Sequence, residues 1–469
     1  MVPARFGERT PGCGMIETAP PRASSQSKRT WRQFFKPTPP APVMFTEPDE
    51  IKREYKNWQR RILISSLIGY ACFYLVRKNL GFAIPALESA GITKSSLGLF
   101  LTLHGVIYGI SKFTNGFLAD RANARTFMVV ALILSAITNV FFGLSSAVMV
   151  LGSLWMVNGW FQGMGFPPCA RLMTHWFSPK ELATKMSIWN TSHSIGGGLV
   201  AVLCGYLAVR DWRLCFLVPA AMALMGAVFL GITLRDTPQS VGLPEVAGTE
   251  QQDSGTEQTP AEFKAFLRKQ VFENRYIWLL ALANFFVYVV RYAIVDWGAT
   301  LLGEAKGVKL THAGWMIGAF EISGVVGMLL GGWITDKWFG GRGARTCVFC
   351  MFLTGLSVFA FWKVPGEFPM LSTTALCLCG FFLYAPQALV GITVANLATK
   401  RAAATAVGFT GFFGYLSTTL SGWGLGKLVQ HQGWNMGLGS LVIAAMLGMI
   451  LFAAAWNAKA NGYSTLKSA

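Results

Sequence analysis

Gly116-Phe-Leu-Ala-Asp120-Arg121, with Arg125 four residues on, recurs as Gly332-Trp-Ile-Thr-Asp336-Lys337, followed by Arg345. The copies are 216 residues apart. Each closes the second apolar segment of a series, 97–119 and 312–335. Arg77 and Arg291 stand in the first segment of each series, 214 residues apart. Gly205 and Gly422 close the fifth segments, 217 residues apart. Three landmarks at nearly one offset mark a chain built from two similar halves.

The other apolar segments are 62–85, 126–146, 148–173, 186–208, 213–234, 276–302, 345–363, 370–397, 403–428 and 433–457, making twelve in all. A membrane helix needs about 20 apolar residues to cross roughly 30 Å of hydrocarbon. The expected fold is an all-α membrane protein with twelve transmembrane helices in two pseudo-symmetric six-helix halves. Residues 56–234 form the N-terminal half and 276–458 the C-terminal half, joined by a polar linker, 235–275. Residues 1–55 read as a mostly disordered tail with an amphipathic end, and 459–469 as a second tail. Met44 is an alternative start to Met1, because the chain becomes orderly only after it. Parallel six-helix repeats around a central pathway are a transporter architecture.

Composition agrees. The chain has 469 residues, 53% apolar and only 13% charged, with mean hydropathy +0.44. A soluble core cannot hide that much apolar surface. The apolar runs are continuous rather than alternating, so nothing argues for an outer-membrane barrel. Nine cysteines, an odd number lying mostly in apolar runs, argue against a disulfide framework. Cys347-x-x-Cys350 lacks a second pair at zinc spacing, so no metal or other cofactor is expected.

The formal charge of +18 is topological rather than a nucleic-acid footprint. Of 40 Lys and Arg, 28 fall in the tails, the linker and the loops on their side, and 7 on the other side. The positive-inside rule therefore places both termini and the linker in the cytoplasm. A basic cytoplasmic face also suits anionic lipid.

Five cations remain inside the membrane: Arg77, Lys78, Lys112, Arg171 and Arg291. The acids well inside helices are Asp296 and Glu321, an excess of about three positive charges. Intramembrane ions are costly and usually line a cavity, and the plainest missing partner is an anionic substrate. Arg77 and Arg291 face each other across the repeat, and a guanidinium fork fits phosphate or carboxylate oxygens. The competing reading for Arg291 is neutralisation by Asp296, five residues on but on another helical face. Lys78 is expected to face Glu321 or Asp296. Lys112 either serves the cavity or pairs with an acid across helices. Arg171, near the end of the fourth segment, reads as structural.

Tyr70 and Tyr74 share a helical face with Arg77, and Tyr288 repeats the arrangement beside Arg291. Tyr108 precedes Lys112 by four residues. Their hydroxyls are candidate phosphate or sugar contacts, with aromatic packing the alternative. His193, one turn from Asn190 and beside Gly196–Gly198, is a hydrogen-bonding or titrating candidate. His104, His175, His312 and His431 read as loop-end or helix-packing residues. Gly426-Lys427 lacks the remainder of a Walker A motif, and no catalytic triad or dinucleotide fingerprint is present, so neither an enzyme nor an ATP pump is expected.

The chain resembles the major facilitator superfamily and, within it, the organophosphate:phosphate antiporters. The loop repeat is similar to the superfamily signature. The narrower resemblance, over about residues 50–460, rests on Tyr74-Leu-Val-Arg77-Lys78-Asn79, Tyr108-Gly-Ile-Ser-Lys112-Phe113 and Gly159-Trp-Phe-Gln162-Gly-Met-Gly165-Phe-Pro167-Pro168-Cys169. It rests equally on Trp189-Asn190…His193, Val290-Arg291-Tyr292…Asp296-Trp297 and Asp236-Thr-Pro238-Gln-Ser-Val-Gly242-Leu-Pro. It implies a major facilitator fold, phosphate binding by Arg77 and Arg291, and supporting or gating roles for Lys78, Lys112, His193, Asp296 and Glu321. It implies conformational roles for Gly116, Asp120, Arg121, Arg125, Gly332, Asp336 and Arg345. It also implies a monomer in the inner membrane that exchanges a sugar or glycerol phosphate for inorganic phosphate. Tyr384-Ala-Pro386-Gln387 and Ser421-Gly-Trp423 look more like the hexose-phosphate branch, with glucose-6-phosphate as the expected substrate. That branch also includes a membrane sensor of external hexose phosphate that signals to a kinase. The long N-terminal tail departs from the family pattern.

Overall fold

A bilayer offers backbone groups no water, so each span must satisfy its own hydrogen bonds, and the apolar segments fold as helices. The computed structural model describes residues 36–120, 122–246, 260–398 and 402–458. The first half contains α1 (Pro48–Leu75), α2 (Leu80–Ser89), α3 (Lys94–Asp120), α4 (Ala124–Leu144), α5 (Val148–Gly163), α6 (Phe166–Trp176), α7 (Pro179–Arg210) and α8 (Leu214–Thr233). A short α9 (Pro260–Leu267) lies in the linker. The second half contains α10 (Arg275–Lys306), α11 (Leu310–Phe339), α12 (Gly343–Lys363), α13 (Pro369–Leu397), α14 (Ala403–Leu416) and α15 (Leu425–Ala454).

Nine continuous stretches among the described residues are long and apolar enough to cross a membrane. One of them, Thr405–Ala454, is 50 residues long, about 75 Å of helix at 1.5 Å per residue. It is two spans divided at Gly433, whose φ of 74° and ψ of 177° are not helical. The pairs α1–α2 and α5–α6 are single spans with a local break. With Gly433 dividing one stretch and the two broken spans added, the described residues accommodate the twelve expected spans in order.

The break between α1 and α2 is built, not accidental. Val76 leaves the helix at φ −101° and ψ 17°, which frees its carbonyl inside the membrane. Asn139 and Asn158 donate to that oxygen at 3.1 and 2.9 Å. Asn79 donates to the Asn139 side chain and to the Cys215 carbonyl, both at 2.9 Å. All three asparagines are buried. Irregular backbone survives at membrane depth only where protein groups satisfy it. The unwound stretch carries Arg77 and Lys78.

Among the described residues, α1 starts at Pro48, and residues 36–47 lie on the segment after α8. Ala41 and Phe45 donate backbone hydrogen bonds to the carbonyls of Gln239 and Gly242. Asp236 is buried and accepts from the backbone N–H groups of Thr38 and Ala124 at 3.1 and 2.8 Å. Arg171 approaches the same carboxylate at 3.5 Å. Residues 1–35 and 459–469 lie outside the described residues.

The halves are pressed together on the side away from the termini. Ser95 donates to Gln430 at 2.9 Å, and Lys94 pairs with Glu304 at 2.9 Å and with Glu88 at 2.7 Å. Deeper in, the Thr102 hydroxyl donates to the Thr418 carbonyl at 2.6 Å and accepts from the Trp423 N–H at 2.9 Å. The chain makes a π-turn at Thr419–Gly424, a local widening frequent at functional sites. There the helices touch through backbone: a Cβ on Gly98 would lie 2.5 Å from the Gly422 carbonyl oxygen.

Candidate functional site between the two halves

The break after α1 lets two adjacent cations serve different partners, although neighbours on a regular helix diverge by about 100°. Arg77, only 8% exposed, lies over the Tyr108 ring at 4.0 Å and the Tyr74 ring at 5.1 Å. Lys78 crosses to the second half and meets Asp296 at 2.6 Å. Of its two expected partners, Asp296 is therefore the one engaged. Lys78 also covers the Tyr292 ring at 4.4 Å.

Arg291 is 3% exposed and projects from the middle of α10. Asp296 does not neutralise it, because that carboxylate is held by Lys78. Instead the Arg291 Nε donates to the Tyr384 hydroxyl at 3.2 Å, and that hydroxyl donates to Glu321 at 2.5 Å. A phenol thus separates the cation from the acid, and the guanidinium is not closed by a carboxylate fork.

Lys112 has no carboxylate partner among the described residues. Its ammonium lies 3.8 Å over the Phe166 ring and 3.4 Å from the Tyr415 hydroxyl. The cross-helix acid weighed for it is absent there. Tyr70 and Tyr108 meet hydroxyl to hydroxyl at 3.4 Å. Tyr288 lies 5.9 Å from the Arg291 guanidinium. The His193 ring packs against Tyr70, Tyr74 and Trp189, with centroids 5.0, 5.3 and 5.4 Å away. Its Nδ1 lies 2.7 Å from the Asn190 carbonyl. Asn190 meets His193 through this main-chain atom, and the residue itself is exposed.

The loop motifs sit apart from this cluster, on the terminal side. Gly116 and Asp120 fall at the end of α3, and Arg125 opens α4. Gly332 and Asp336 lie near the end of α11. Arg345, in α12, covers the Trp456 ring at 5.1 Å. Arg121 lies outside the described residues.

Sequence reasoning missed several lining residues. Tyr384, Tyr292 and Tyr415 border the central charges. Read in one dimension, they were aromatic residues in apolar runs. His104 and Trp155 line the pocket beside Arg77, so His104 is a cavity residue as well as a packing one. Asp236, which opens the Asp236-Thr-Pro238 motif, is the partner of Arg171.

That pairing also corrects the charge count. With Arg171 satisfied outside the cavity, Arg77, Lys78, Lys112 and Arg291 face Asp296 and Glu321. Four formal cations against two anions leave an excess of two, not three.

Residues 66–422 match the model of the Major Facilitator Superfamily. The chain belongs to the major facilitator superfamily. The probable hexose phosphate transport protein of Chlamydia trachomatis serovar D is 39% identical over 91% of this chain and 97% of its own length. The glycerol-3-phosphate transporter of Bacillus subtilis is 38% identical, over 90% of this chain and 98% of the relative. The membrane sensor protein UhpC of Escherichia coli is also 38% identical, over 91% and 98%. These relatives place the chain in the organophosphate:phosphate antiporter branch. A bacterial homolog of the human lysosomal transporter Spinster, solved inward-facing and unoccupied, superposes with TM-score 0.69 over 87% of this chain and 98% of its own, at 15% identity. That likeness speaks to the fold alone. The chain is a multi-pass transport protein of this superfamily, not an enzyme.

Proposed function

We propose that the chain exchanges a hexose 6-phosphate, with glucose-6-phosphate the leading candidate, for inorganic phosphate by alternating access. The observation that carries this reading is the formal excess of two positive charges between the halves. A phosphate monoester carries about −1.5 to −2 near neutral pH, so one ester phosphate balances it. In this reading Arg77 and Arg291 each offer a guanidinium fork, one from each half, to the same phosphate. Lys112 and His193 support the clamp, and Lys78–Asp296 and Glu321–Tyr384 hold the flanking charges. Tyr70, Tyr74, Tyr108 and Tyr288 offer hydroxyls, and the paired loop motifs time the movement of the halves.

The 28-to-7 distribution of Lys and Arg supports cytoplasmic termini in the inner membrane. The boundaries 56–234 and 276–458 for the moving halves belong to the same reading, as does a monomeric unit. The relatives bear on substrate class, because hexose phosphate and glycerol-3-phosphate appear in their names. Near-equal identity to both does not choose between them, so the hexose assignment rests on the sequences around Tyr384 in α13 and at Ser421-Gly-Trp423.

A competition panel tests the reading. Purified protein in liposomes is expected to catalyse phosphate self-exchange that glucose-6-phosphate inhibits more strongly than glycerol-3-phosphate. Unphosphorylated glucose is expected to have no effect. Stronger inhibition by glycerol-3-phosphate would move the assignment to that branch, and inhibition by glucose would end it. The relative named as a membrane sensor favours a second reading, a receptor that binds hexose phosphate and signals to a kinase. Binding of glucose-6-phosphate without any exchange by the purified protein would favour that one.

A further inference from the structure

His104 precedes Tyr108 by four residues and Lys112 by eight, so the three lie along one face of α3. Tyr108 and Lys112 both border the central charges. At His104, α3 can approach α5 closely because position 159 has no side chain. A Cβ on Gly159 would lie 2.7 Å from the His104 carbonyl oxygen and 3.3 Å from Nδ1. The imidazole therefore lies nearly flat on Trp155, centroids 4.9 Å apart and planes 25° apart. Its Nδ1 is 3.0 Å from the Trp155 carbonyl oxygen. A carbonyl only accepts, so Nδ1 carries the proton, and in the neutral ring Nε2 is left as a bare acceptor.

That acceptor has no partner. His104 is 7% exposed, and its Nε2 makes no hydrogen bond among the described residues. The residue lines a pocket formed by both halves, with Arg77, Lys78 and Trp155 on one side and Tyr292 and Asp296 on the other. The indole Nε1 of Trp155 is likewise buried and unpartnered among the described residues. Burying a polar atom without a partner is unfavourable, and here both atoms belong to residues that line the pocket holding Arg77.

We propose that His104 is a specificity-determining residue of this site, whose Nε2 accepts a hydrogen bond from a hydroxyl of the organic part of the substrate. This rests on the organophosphate reading above. Phosphate held by the arginines supplies affinity common to all substrates, while His104 distinguishes a hydroxylated ester from a bare one. A site built to bond a hydroxyl rejects the analogue lacking it, because its own polar group is then left unpaired.

The test uses purified protein in liposomes and phosphate self-exchange, inhibited by glucose-6-phosphate or by methyl phosphate, which has no hydroxyl outside its phosphate. His104→Asn keeps a donor where Nδ1 stands but has no atom at Nε2. His104→Leu removes both. Either is expected to weaken glucose-6-phosphate relative to methyl phosphate by up to about tenfold, the scale of one lost hydrogen bond. His104→Gln, whose amide reaches the Nε2 position, is expected to keep the wild-type ratio. Equal weakening of both inhibitors, or no change in either, would overturn the proposal and leave His104 a packing residue. A wild type that binds glucose-6-phosphate no better than methyl phosphate would likewise overturn it, whereas failure of both esters to inhibit phosphate self-exchange by the wild type would instead refute the organophosphate reading. Two variants that remove Nε2 differently keep the test open if one does not fold.

Discussion

Arg77→Lys and Arg291→Lys are each expected to lower kcat/KM for sugar phosphate exchange by roughly a hundredfold, the scale of losing charge-assisted hydrogen bonds. Lysine keeps the formal excess of two charges and removes only the fork, so the change separates geometry from electrostatics. Both arginines are buried, at 8% and 3% exposure, and lysine is no larger. Membrane insertion is therefore expected to survive. The Arg291 variant carries an added effect, because Tyr384 then loses the donor that balances its bond to Glu321. Radiolabelled exchange by purified variants measures this. Wild-type kinetics in either variant would remove that arginine from the site.

Gly98→Val is expected to reduce exchange more than tenfold while leaving substrate binding in place. The new Cβ would meet the Gly422 carbonyl oxygen at 2.5 Å and the Trp423 Cα at 3.0 Å. Both are backbone atoms, so no side chain can rotate away. Overpacking costs roughly 1–3 kcal/mol, here paid only in the state sealed on the side away from the termini. An equilibrium between two states then shifts roughly 5- to 150-fold towards the open one. A cysteine at Thr102, buried at 8% exposure within the seal, reports the shift by its labelling rate with a membrane-impermeant maleimide. Thr102→Cys is expected to be protected in the parent and labelled in the Gly98→Val background. Equal labelling would mean that the Gly98–Gly422 contact does not close the pathway.

The twelve spans were readable because lipid leaves one solution for an apolar run, and their order follows the sequence. What could not be read was where a span breaks. Val76–Asn79 looks continuous in one dimension, and its unwinding depends on Asn139 and Asn158, which are distant in sequence. The buried cations were legible for the same reason as the helices: a charge in an apolar run is too costly to be idle. Their partners were legible only in part: Asp296 is one of the two acids expected for Lys78. Proximity in sequence also offers Asp296 to Arg291, but its carboxylate is held by Lys78. Glu321 reaches Arg291 only through Tyr384, a residue that aromatic composition hides. His104 was read as packing, and it does pack on Trp155; only the spare ring nitrogen distinguishes it.

In the proposed exchange, a phosphate group balances the cavity and is needed for the halves to rock. An empty cavity with two excess charges is expected to reorient poorly. Uptake of labelled glucose-6-phosphate into liposomes loaded with phosphate, compared with phosphate-free liposomes at the same pH, tests this directly. Rapid uptake that depends on internal phosphate, with one phosphate leaving as one ester enters, is the expected result. Equal uptake into phosphate-free liposomes would contradict the account.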